Sequence, residues 1–210
     1  MTTLIDFLDA AESGDDEQAE RLVVSLTSED ESALLAAVAD NAVAGNSVDV
    51  DGKVGNNDLR WWVVRALALV GGAASIAQIS STLDDGDPLL RSCALLALAA
   101  IHARQPQSVQ PQLAGMVQRL LDDDGMVRQS ASDALAQCGD DAVPLLSDVL
   151  RYGEHQGART RAAQALRQIA TMPAAAVLYH CLNDANYMVH TYAYEGLEEM
   201  GLLETMLLAV

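Results

Sequence analysis

Residues 47–58 read S-V-D-V-D-G-K-V-G-N-N-D and hold the densest set of candidate metal ligands in this 210-residue chain. A twelve-residue calcium loop places oxygen ligands at positions 1, 3, 5 and 12, a glycine at 6 and a backbone carbonyl at 7. Counted from Ser47, the register puts Asp49 at 3, Asp51 at 5, Gly52 at 6, Lys53 at 7 and Asp58 at 12. Position 1 is Ser47 rather than an acid and position 9 is Gly55, so the same residues also read as a plain acidic loop. Calcium held by Asp49, Asp51 and Asp58 is the only cofactor the sequence suggests; otherwise none is expected.

Just beyond the loop, Trp61 and Trp62 stand side by side, with Arg65 one helical turn on. Aromatics and Arg are favoured interface anchors. Neighbours on a helix point about 100° apart, so both indoles cannot enter one core. Other chemistry is sparse. None of His102, His155, His180 and His190 is followed by Glu, which removes H-E-x-x-H metal sites. His180 and Cys181 are adjacent but diverge on a helix. Cys93, Cys138 and Cys181 are odd in number and far apart, with no C-x-x-C, so a disulfide framework or zinc knuckle is not expected. No phosphate-cradling glycine loop and no G-x-S-x-G elbow occurs. No catalytic residue is assigned.

The elements that would position these residues follow from an internal repeat. From Arg91, small or apolar residues fall at +3, +6, +7 and +10: Ala94, Ala97, Leu98 and Ile101. The same register starts at Arg60, Arg128, Arg159 and His190, at intervals of 31, 37, 31 and 31 residues. The long interval contains a Gln/Pro/Ser insert around residues 104–110. Spacings of 3, 4 and 7 define one helical face, and Ala or Gly at +3 and +6 lets helices approach closely. A second apolar helix precedes each zero point, over residues 76–83, 113–121, 143–150 and 174–182. Between the two lie Asp- or Asn-rich turns such as Asp84-Asp85-Gly86-Asp87, whose side chains suit helix N-caps.

Paired helices every 31 residues or so, with an Asp turn, an apolar residue and then Arg, resemble HEAT repeats. More closely, they resemble the short HEAT-like repeats of bilin lyases. The residues that carry it are Asp87, Leu90-Arg91, Ala94 and Ala97-Leu98, and again Asp124, Val127-Arg128, Ala131 and Ala134-Leu135. The resemblance covers about residues 58–201. It implies an all-α, right-handed α-α superhelix, a solenoid of about five helix pairs. It also implies a ladder in which turn Asp and following Arg join neighbouring units. His155 replaces the turn Asp before Arg159, and His190 replaces the Arg, so those two turns are expected to be less tightly tied.

A solenoid needs caps. Residues 1–28 are expected to form an N-terminal helical cap from two helices, 2–12 and 15–27. Residues 29–201 are the repeats, with a long acidic loop at 45–57, and residues 202–210 form a C-terminal capping helix. Positions +1, +5 and +8 of each second helix point away from the core stripe. Trp61, Arg65, Leu96, Gln164, Arg167 and Glu195 lie there and are the candidate partner-binding residues. Arg161 and Arg167 read as a basic spot, followed by an acidic one at Glu195, Glu198 and Glu199.

The formal charge is -18, and 14 of the 30 acids lie in residues 1–58 against two bases, Arg21 and Lys53. That charge argues against nucleic acid, because a polyanion releases no counterions from another, and against an anionic membrane. The N-terminus lacks a basic n-region, and no apolar run nears the ~20 residues of a membrane span. A cytoplasmic protein is expected. Asp exceeds Glu 20 to 10 and Lys53 is the only lysine, which with abundant Ala and Arg points to a GC-rich, bacterial genome. The function expected is a non-catalytic protein-binding adaptor whose partner carries basic segments. The alternative implied by the resemblance is a bilin lyase-like, chromophore-handling enzyme or chaperone.

Overall fold

The structure is a computed structural model that describes residues 2–44 and 57–203. Every regular element among the described residues is helical. Asp49, Asp51 and most of the 45–57 loop lie outside the described residues, as does most of the expected 202–210 cap. The chain forms two compact units, Met1–Val109 and Gln110–Val210.

In the first unit, α1 (Thr2–Ser13) packs on α2 (Asp16–Val23), and α3 (Glu31–Ala44) on α4 (Asn57–Val70). Next come α5 (Ala73–Thr82), α6 (Pro88–Arg104) and the single turn α7 (Pro106–Val109), which packs on both. Helix α1 also reaches α4, and α4 packs on α6. The expected helix over 15–27 ends at Val23. A separate 3-10 turn, Ser28–Asp30, follows, started by a reciprocal capping box between Thr27 and Asp30. Part of the insert after Arg104 is not a bare loop: it folds as α7 and buries Val109.

The second unit contains α8 (Leu113–Gln118), α9 (Gly125–Gln137), α10 (Val143–Tyr152), α11 (Gln156–Ile169), α12 (Met172–His180) and α13 (Tyr187–Glu199). Helices α9, α11 and α13 pack in series, while α10 and α12 pack against α11. The expected helix over 113–121 tightens into a 3-10 turn at Arg119–Leu121.

The repeat register is the core of both units. Ala94, Ala97, Leu98 and Ile101 are fully buried, as are Ala131, Ala134 and Leu135, and Ala162, Ala165 and Leu166. Each such Leu is worth about 1.5–3 kcal/mol of transfer free energy. Small residues at +3 and +6 bring backbones together. A Cβ on Gly196 would sit 2.9 Å from Leu178 Cδ1 and 3.3 Å from Arg167 Cβ, so the missing atom lets α13 seat closely against α12 and α11.

The turns carry a repeated polar network. Asp85, Asp122 and Asp184 each accept from the backbone N–H two residues on, at 2.9–3.0 Å. Asp87, Asp124 and Asn186 then cap α6, α9 and α13. Arg60 pairs with Asp85 and Arg159 with Asp184, a rung between consecutive helix pairs. Arg91 and Arg128 also donate to carbonyls of their own turns, at 2.9 Å to Asp85 and 2.7 Å to Asp122. The turn before His190, expected to be looser, is tied like the others, whereas the turn before α11 has Gly153 in place of the bonding Asp and keeps the cap. His155 Nδ1 accepts from the Ala158 N–H and so replaces Asp as the cap of α11. His190 Nδ1 lies 2.6 Å from the Leu182 carbonyl, the kind of bond Arg makes elsewhere. An imidazole nitrogen serves as acceptor in one turn and donor in the other.

Candidate functional site

Helix α4 presents Trp61, Trp62 and Arg65 on adjoining faces. Trp62 turns inward and is buried, its ring edge-on to Phe7 at 6.3 Å between centroids. Its Nε1–H donates to Asp16 Oδ1 at 3.0 Å, so the buried indole keeps its hydrogen bond. Trp61 is half-buried and stands perpendicular to Trp62 with centroids 4.9 Å apart. The Arg65 guanidinium lies 5.5 Å from the Trp61 ring centre and 5.7 Å from that of Trp62. Its Nη2 donates to both oxygens of Glu20, at 2.6 and 2.8 Å. Helix α2 is thereby tied to α4 at two points, Asp16–Trp62 and Glu20–Arg65.

Beside Trp61 opens a groove of about 500 Å³. Trp61, Trp62, Leu89 and Leu90 supply its apolar wall, and Asp16, Glu20, Asp58 and Asp87 its rim. No basic side chain is among the described lining residues. Leu89 follows the α6 cap and is 54% exposed, held there because Asp87 Oδ1 accepts from the Leu89 N–H.

Of the residues singled out from the sequence, Trp61 and Asp58 line this groove. Arg65 lies behind Trp61, engaged with Glu20. Leu96 is exposed on α6 but does not line the groove. The three remaining partner-binding candidates, Gln164, Arg167 and Glu195, lie in the second unit and form a different arrangement. Arg167 reaches Glu195 at 2.5 Å and also pairs with Glu199, with the Tyr192 ring 5.9 Å away. The bond from Arg167 holds the Glu199 carboxyl below the usual carboxylate range. Gln164 accepts from Arg161 at 2.7 Å, and Arg161 also reaches Gln129. The basic and acidic spots read from the sequence are therefore not separate: Arg167 on α11 closes onto Glu195 and Glu199 of α13.

The sequence pointed to neither Asp16, Glu20 nor Leu90 as part of a site. The first two act across 46 and 45 residues of chain, a distance no local pattern spans. Leu89 had a usable signal: an apolar residue one place outside the core stripe, directly after a cap. Of the proposed calcium ligands only Asp58 is described; it is exposed at the start of α4. Among the described residues no group of three or more His, Cys, Asp or Glu side chains could hold a metal ion. The thiols are unsuited to nucleophilic chemistry. Burial pushes Cys93 and Cys138 up to about 12, in spite of Arg65 near the first and with help from Asp141 near the second. No helix among the described residues is long and apolar enough to cross a membrane.

Residues 113–198 match the sequence family of HEAT repeats. No curated protein matches the sequence. Among solved structures, one engineered protein aligns with 96% of this chain and 97% of its own, at 20% identity and a TM-score of 0.47. A designed armadillo repeat protein, solved in complex with a (KR)4 peptide, aligns with 92% of this chain and 98% of its own, at 18% identity and a TM-score of 0.45. A second engineered protein aligns with 94% of this chain but 57% of its own, at 21% identity and a TM-score of 0.47. With a buried Ala/Leu register and helix pairs joined by Asp/Asn–Arg turns, the described chain is built of helical repeats similar to HEAT repeats, and residues 113–198 match that family's sequence pattern.

Proposed function

We propose that this protein is a non-catalytic binding scaffold that holds a segment of a partner protein in the groove beside Trp61. Residues 1–28 act as the N-terminal cap of the repeats. The observation that carries this reading is the groove's composition. A half-buried indole and a Leu that is 54% exposed lie side by side, ringed by four carboxylates. Exposed apolar side chains grouped in a concavity with a polar rim are the usual make-up of an interface centre. Repeat proteins in general use such extended surfaces for protein ligands.

Partner capture from an extract of the source cell, comparing wild type with Trp61→Ala and Leu89→Ala, tests the reading. Truncating a buried aromatic anchor costs about 2 kcal/mol or more, roughly thirty-fold in affinity. Trp61→Ala should lose the partner by that order while far-UV circular dichroism stays unchanged. A partner retained equally by both variants places docking elsewhere. A tight, stoichiometric spectral change on adding tetrapyrroles would instead favour chromophore handling.

A further inference from the structure

The four carboxylates around the groove differ in how far they are already engaged. Asp16 accepts from Trp62 through Oδ1, Glu20 holds Arg65, and Asp87 caps α6. Asp58 is exposed in the first turn of α4. Arg65 is the cation recorded over the two tryptophan rings among the described residues; it is bound to Glu20 and is not itself one of the groove's lining residues. The groove wall thus carries four acids and no base, against an apolar floor of Trp61, Trp62 and Leu90.

We propose that this groove binds an arginine side chain of the partner, with a large apolar residue next to it seated on Leu89. The proposal rests on the docking reading above and specifies the occupant. The rim repels an acidic or phosphorylated segment and attracts a cation. The floor discriminates between cations. A guanidinium is planar and weakly hydrated, stacks on an indole, and directs its five N–H groups outward in one plane toward spaced carboxylates. An ammonium is a compact, strongly hydrated charge that gains less from an indole wall. At about 500 Å³ the groove exceeds what one guanidinium fills. Leu89, a lining residue that is 54% exposed, offers an apolar neighbour of the arginine a seat in the remaining space.

The test uses the full chain and a short capped peptide, Gly-Leu-Arg-Leu-Gly, with versions carrying lysine or citrulline in place of arginine. Citrulline keeps the planar shape and removes the charge. Tryptophan emission should change saturably with the arginine peptide, with affinity roughly tenfold weaker for lysine and weaker still for citrulline. Asp58→Asn should weaken the arginine peptide several-fold, and Trp61→Ala by about thirty-fold. Asp58 is a surface position, so its variant keeps the test valid even if Trp61→Ala perturbs folding. Citrulline binding as tightly as arginine, or unchanged affinity in Asp58→Asn, overturns the proposal. If no arginine peptide binds while Trp61→Ala still loses the protein partner, the arginine assignment falls and the docking reading stands. If the peptide binds but partner capture ignores Trp61→Ala, the docking reading falls, and the assignment of a partner arginine to this groove falls with it.

Discussion

Glu31 starts a helix to which it does not belong. Helix α5 is preceded by Gly71 and Gly72, and its cap position, Gly72, has no side chain to accept the first N–H groups. Gly71 is needed because a Cβ there would lie 2.4 Å from the Leu67 carbonyl oxygen. Glu31 of α3 supplies the missing acceptor, at 2.8 Å from the Gly72 nitrogen and 2.6 Å from Ser75 Oγ. Burial acts to raise its carboxyl, but the Ser75 hydroxyl and the Gly72 and Ser75 N–H groups outweigh it and hold the pKa below the ordinary 4.5. Bonds of this kind that cap a helix end are worth about 1–2 kcal/mol. Glu31→Ala should therefore lower the unfolding free energy by that amount in urea at pH 7. A carboxylate whose folded pKa is depressed contributes its stability above the unfolded pKa and loses it as pH falls through the folded one. The gap between wild type and variant should accordingly shrink from about pH 4.5 downward.

Helix ends show where the elements hold strain that a single change can relieve. Helix α11 stops at Ala170, whose φ of 50° is left-handed, with its N–H still bonded to the Leu166 carbonyl. An L-residue with a Cβ pays about 1–2 kcal/mol in that conformation, and glycine does not. Glycine also adds about 0.4–1 kcal/mol of unfolded-chain entropy, which offsets part of the gain. Ala170→Gly should stabilise the protein by roughly 0.5–1 kcal/mol in urea unfolding, and an unchanged midpoint would count against strain at this cap. Gly196 has the opposite sense: Gly196→Leu forces a side chain between α13, Leu178 and Arg167 and should cost about 1–3 kcal/mol or more.

For the molecule as a whole, net charge sets how salt acts. With -18 overall and 14 acids against two bases in residues 1–58, like charges repel in the folded state more than in an extended chain. Added salt screens that repulsion over a Debye length that falls from about 30 Å at 0.01 M to about 8 Å at 0.15 M. The midpoint of thermal unfolding should rise over this range, most of the change coming below 0.15 M. Partner binding through the acid-ringed groove should weaken over the same range. Opposite slopes in two titrations would separate self-repulsion from attraction to a basic partner, whereas parallel slopes would remove the electrostatic basis of binding.

The helix pairs, their capping turns and the buried Ala/Leu stripe were legible because each depends on residues a few positions apart. Helical periodicity and N-cap chemistry are local, and they recur at Arg60, Arg91, Arg128, Arg159 and His190. Even there the imidazoles deceived: a His differs from Asp or Arg as a letter, yet its ring nitrogen makes the bond each of them makes. Spacing also showed that Trp61 and Trp62 could not share one core. Which indole is buried was decided by Phe7 and Asp16, and whether Arg65 and Arg167 are free for a partner was decided by Glu20, Glu195 and Glu199. Those partners lie 28 to 55 residues away, each on another helix. A side chain's environment there depends on how whole helices pack, because the energy of a charge or an indole is fixed by what comes within a few ångströms of it. The acid-ringed groove arises the same way, from α2, α4 and the start of α6 meeting at Trp61.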